Sequence, residues 1–100
     1  MKIYISGKIT DTEDYVDRFN EAERQLKEIY PESEIENPVT FGKEVEEQVI
    51  NPEWKDYMKN CIVHLLDCDA IYLMEGWQNS KGARLEYFIA SCLDIKFIEI

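Results

Sequence analysis

AIYLMEGWQNSKGARLEYFIASCLDIKFIEI, residues 70–100, is the stretch whose reading decides the fold. Ala70 to Met74 is an apolar run of strand length, bounded by polar residues, as expected of a strand buried on both faces. Gly76 to Asn79 breaks the run as a loop. Ser80 can cap a helix that runs to about Leu93, and Lys96 to Ile100 reads as another strand. Strand, loop, helix and strand in that order make a βαβ unit, whose two strands lie parallel.

Upstream the same rhythm repeats. Lys2 to Ser6 alternates β-branched and aromatic residues and ends at Gly7. Thr10 or Thr12 offers an N-cap, and Thr10 with Glu13 has the spacing of a capping box. Tyr15, Phe19, Ala22, Leu26 and Ile29 then step by four and three, which predicts one amphipathic helix over 13–30, ended by Pro31. Glu34 to Asn37 is a short strand closed by Pro38. Phe41 and Gly42 read as loop, and Glu44 to Val49 as one helical turn. Pro52 suits a first helical turn, and Trp54, Met58, Cys61, Ile62 and Leu65 mark a second amphipathic helix. The order β-α-β-α-β-α-β predicts a single three-layer α/β/α domain over 1–100, flavodoxin- or Rossmann-like, with a short parallel sheet of about four strands. Ligands of such sheets sit beyond the carboxyl ends of the strands, at the topological switch point. Two loops open there, Gly7 to Thr10 and Glu75 to Ser80.

Composition narrows the function. With 11 Lys and Arg against 21 Asp and Glu, the formal charge is −10. That balance argues against a nucleic-acid polymer or an anionic membrane as partner, since both are gripped by clustered cations. A small anion remains compatible, because backbone N–H groups can hold a phosphate whatever the global charge. No apolar run has the length of a membrane helix, and MKIYISGKIT is too soon polar for a secretory signal. Cys61, Cys68 and Cys92 are odd in number and form no CxxC, and His64 is the only histidine. They read as reduced, mostly buried thiols in a cytoplasmic protein, with no metal and no cofactor expected.

Glu86 draws attention on the last helix. Leu85, Ile89, Cys92 and Leu93 form an apolar stripe, and Gly82 and Glu86 fall on the same side. A carboxylate within such a stripe either reaches water at its edge or is held there for chemistry. Ser80 and Gly82 stand at the helix N-terminus, where free N–H groups could hold an anion, or where Ser80 is simply a cap. Trp77 could stack a base or lid the core, Gly7 could admit a ligand or only turn the chain, and Tyr4 could reach the pocket or fill the core. His64 reads as a surface residue. Asp67 and Asp69 oppose the dipole of the preceding helix, which predicts a specific partner for at least one of them.

Together, Ile3-Tyr4-Ile5-Ser6-Gly7, Cys68 to Leu73, Gly76-Trp77, the run from Ser80 to Glu86, and Ala90 resemble the nucleoside 2-deoxyribosyltransferase-like superfamily, in particular a small bacterial and phage branch. The resemblance covers most of the chain and is weakest over 40–52. It implies N-glycosidic chemistry on 2′-deoxynucleosides or their 5′-monophosphates. Glu86 takes the place of the glutamate that attacks the anomeric carbon, and Tyr4 that of the tyrosine orienting it. Ser80, six residues before the glutamate, matches the sugar- or phosphate-binding position and is similar to the monophosphate N-glycosidases. Gly7 and Gly82 match backbone contacts around the sugar-phosphate, and Lys8 stands where those hydrolases carry a hydroxyl. The chain departs at Cys61, where many members carry an acid that helps the base to leave; Asp69, Asn60 or a water would then substitute. The resemblance also implies a homodimer or higher homo-oligomer. A nucleotide-binding module without catalysis, and a glycohydrolase of a dinucleotide such as NAD, are the alternatives on the same fold.

Overall fold

A computed structural model describes residues 1–10 and 12–100. Four strands, β1 (Lys2–Ser6), β2 (Glu34–Glu36), β3 (Ala70–Leu73) and β4 (Lys96–Ile98), form an all-parallel sheet in the order β2-β1-β3-β4. The helices are α1 (Tyr15–Ile29), α2 (Pro38–Phe41), α3 (Lys43–Gln48), α4 (Trp54–Leu66) and α5 (Lys81–Cys92), with a 3-10 turn over Trp77–Asn79. Strand alternation divides the core in two. Ile3, Ile5, Ala70 and Ile98 meet Phe19, Ala22 and Leu26 of α1 on one face. Tyr4 and Ile71 meet Phe41, Leu65, Ala90 and Ile95 on the other, beside α4 and α5. Full burial of a side chain such as Phe19 or Leu26 stabilises the fold by about 2 kcal/mol. The predicted α/β/α layering is therefore the observed one. The winding of the sheet switches sides between β1 and β3, with β2 added on one side of β1 and β3 on the other, and there Met74 N–H donates to the Ser6 carbonyl at 2.8 Å.

Several boundaries differ from expectation, each for a local reason. Neither Thr10 nor Thr12 caps α1; Asp14 precedes it without a side-chain bond, and the Thr12 hydroxyl donates to the Ile9 carbonyl. Pro52 lies outside α4, because Glu53 and Asp56 close a capping box one residue later. Residues 76–79 hold a 3-10 turn entered through Gly76 at φ 86, a conformation that favours glycine. Phe41 is not loop but the buried end of α2, 4% exposed. Asn37 begins that helix instead of ending β2: its side chain accepts from Val39 N–H at 3.0 Å, with Pro38 in the first turn.

Asn37 is 2% exposed, and its amide also donates to Asn20 Oδ1 and Glu23 Oε1, both at 3.1 Å. One buried side chain thus caps α2 and ties it to α1. Asn37→Ala is expected to destabilise the protein by about 2 kcal/mol in chemical denaturation, and an unchanged midpoint would refute this account of residues 37–41.

Candidate active site

Tyr4 and Ser6 lie two apart on β1, so both side chains point to the face covered by α4 and α5. Opposite them, α5 turns Ala83, Glu86 and Ala90 inward, at steps of three and four. Small residues on either side of the glutamate let the helix approach the sheet closely. The predicted apolar stripe is corrected accordingly: Leu85, Leu93 and Cys92 are exposed, and only Ile89 of the four packs against the core. Ser80 caps α5 as expected, its Oγ accepting from Ala83 N–H at 3.1 Å.

Glu86 is 4% exposed. Its Oε1 accepts from Ser6 Oγ at 2.7 Å, and its Oε2 accepts from the Tyr4 hydroxyl. Burial raises the Glu86 pKa to about 7, while the two hydroxyl donors favour the carboxylate and pull the other way. Burial, then the charge of Glu86, holds the Tyr4 hydroxyl well above its usual range, so it donates without ionising. The Cys61 thiol is pushed up to about 12, chiefly by burial and then by Glu86, against an opposing interaction with Tyr4. The centre is therefore one titratable carboxylate among neutral donors. Among the described residues no buried side-chain N or O lacks a partner.

The structure brings Glu86, Tyr4 and Cys61 together and leaves Asp69 apart. Asp69 directly precedes β3, at the amino end of the sheet, where its carboxylate accepts from Lys2 N–H at 2.9 Å. Its expected catalytic part is corrected: it fastens the start of β1. Asp67 also has a specific partner, the Lys2 ammonium. Asn60 is committed to the Phe41 carbonyl at 3.2 Å. A Cβ on Gly7 would stand 3.0 Å from Met74 Sδ and 3.3 Å from Phe19 Cζ, so tight packing against the α1-side core favours a glycine there. At Gly82 a Cβ would stand 3.0 Å from Met58 Sδ, which marks a close approach of α5 to α4. Trp77 stacks on Tyr87, ring centres 4.8 Å apart, and Lys8 is half-buried just past β1. His64 is not a free surface residue. Its ring stacks on Phe41 at 3.9 Å, and its nitrogens meet Glu36 and Glu44, each at 3.2 Å. Nor are the thiols mostly buried: Cys68 is, Cys61 is half-buried and Cys92 is exposed. Two surface hollows lie along α1, one beside Arg24 and Lys27 and one beside Tyr72 and Met74, and Glu86 lines neither.

Two residues at the centre escaped the sequence reading. Ser6 was signalled by alternation, since a residue two from Tyr4 on a strand shares its face. Phe41, whose ring centre is 6.0 Å from that of Tyr4, lies in a helix too short to show a period. Among the described residues no three His, Cys, Asp or Glu side chains are placed to hold a metal, and no helix is long and apolar enough to cross a membrane.

A doubly wound parallel sheet with a hydroxyl-clamped glutamate beside its switch point defines the class of protein. Within that class the chain belongs to the family described as "Domain of unknown function (DUF4406)", whose model matches residues 1–99. A search of curated proteins found no match.

Proposed function

We propose that this protein cleaves or transfers the N-glycosidic bond of 2′-deoxynucleosides or their 5′-monophosphates through a covalent deoxyribosyl intermediate on Glu86. The observation that carries the reading is the double clamp on that buried carboxylate, one hydroxyl on each oxygen, at the carboxyl end of β1. Burying a carboxylate is costly, and packing alone gives no reason to retain one here. In the proposed step a Glu86 oxygen bonds to C1′ as the C1′–N bond breaks. The bonding pair departs on the base, which takes a proton from water. Water or a second base then attacks C1′ from the opposite side and releases the carboxylate, with net retention. Because Glu86 is 4% exposed, substrate meets it only once the packing over it opens.

Ser80 and the amino end of α5 suit the sugar or its phosphate, as the resemblance to the monophosphate N-glycosidases implies. Exposed Phe88, Leu93 and Phe97 suit contact between copies in a homodimer, and three free cysteines suit the cytoplasm. One observation favours a second reading: at about 12, the Cys61 thiol is a poor proton donor to a departing base. On that reading the chain binds nucleotides without turning them over.

The test is a panel of deoxynucleosides and their 5′-monophosphates, assayed for free base by chromatography and for a deoxyribosyl adduct on Glu86 by mass spectrometry. Base release with the adduct is the expected result. Saturable binding with neither would replace the enzyme by the binding module.

A further inference from the structure

We propose that Ser6 is a second positioning residue for Glu86, holding the carboxylate oxygen nearer the open end of the sheet; this rests on the reading of Glu86 as the nucleophile. Ser6 Oγ donates to Oε1 at 2.7 Å, and both residues are buried, at 1% and 4% exposure. Tyr4 holds the other oxygen from two residues deeper in β1, about 7 Å along the strand. The Tyr4 ring is fixed against Phe41, which makes its hydroxyl the rigid partner. Ser6 stands last in β1, next to Gly7, where the chain leaves the sheet toward the crevice. The oxygen it holds is the one that faces an incoming sugar.

The two hydroxyls do different work. Each hydrogen bond to the charged form favours ionisation and fixes the side-chain rotamer. A tyrosine hydroxyl stays near its ring plane, whereas a serine hydroxyl is a free rotor with one donor and two acceptor positions. When Oε1 bonds to C1′ it becomes an ester oxygen and a weaker acceptor. Ser6 can then turn away without moving the strand, and turn back when the carboxylate is released. Tyr4 keeps the glutamate in place throughout.

The test reads Glu86 directly in the free protein, by carbon-13 NMR titration of its carboxyl group, in the parent and in Ser6→Ala, Ser6→Thr and Tyr4→Phe. Ser6→Ala is expected to raise the Glu86 midpoint by about one pH unit, and Ser6→Thr, which keeps the hydroxyl, to titrate with the parent. The acid limb of base release should move up with the Ser6→Ala midpoint, and Ser6→Thr should restore it to the parental position. A Ser6→Ala midpoint equal to the parent's overturns the proposal, and so does a Ser6→Thr protein that titrates with the alanine variant. Failure of the enzyme reading is seen separately, as no base release by the parent, and the titration still decides what Ser6 does.

Discussion

Glu86→Gln is expected to lower base release at least about 10³-fold, equivalent to about 4 kcal/mol of transition-state stabilisation, while the fold is kept. The substitution is nearly isosteric. The amide oxygen can still accept from Tyr4, and the amide nitrogen can donate to the Ser6 hydroxyl, so neither buried partner is orphaned. What disappears is the charge and the nucleophilic oxygen. Substrate affinity should change far less than turnover, because the sugar and phosphate contacts assigned to Ser80 and the α5 amino end lie elsewhere. In the parent, base release should climb with pH and level off above about 7, following ionisation of Glu86. A Glu86→Gln protein that releases base at the parental rate would remove Glu86 from the chemistry.

The fold was legible where periodicity is long or strong. The alternation of β1, the stripe of α1 and the βαβ unit from Ala70 onward all sit close to their expected places. The helical turn read over Glu44 to Val49 is found as α3, whereas residues 37–42 were not legible, although their start signal was present. Asn37 followed by Pro38 has the chemistry of an N-cap and a first turn, but four residues are too few for a helical period to emerge. At α5 the apolar pattern pointed the wrong way. The inward face is built from Ala83, Glu86 and Ala90, while larger residues such as Leu85, Phe88 and Leu93 are left outside. Hydrophobicity ranks those larger residues as core, yet close packing of helix on sheet selects small ones. The orientation of Glu86 followed from its spacing to Gly82 and Ile89, not from the stripe itself. Asp69 was misassigned for a related reason. A residue directly before β3 belongs to the amino end of a parallel sheet, and ligand sites belong to the other.

The glutamate should also leave a mark on stability. In the unfolded chain its pKa is near the ordinary glutamate value of 4.5, and in the folded protein burial raises it to about 7. The folded state therefore binds more protons than the unfolded state between those values. Stability consequently falls as pH rises through that window. The protonated glutamate contributes fully below about pH 4.5, and that contribution is lost once pH passes the folded value. The difference amounts to about 3 kcal/mol. Other titrating groups contribute almost equally to the parent and to Glu86→Gln, so they cancel when the two denaturation curves are subtracted at each pH. Glutamine resembles the protonated acid, so the two proteins should be close in stability near pH 4.5. By pH 8 the variant should be the more stable by about 3 kcal/mol, as expected where a buried charge is kept for function at the expense of the fold. If the two curves stay parallel from pH 4.5 to 8, Glu86 carries no raised pKa, and the carboxylate at the end of β1 is an ordinary one.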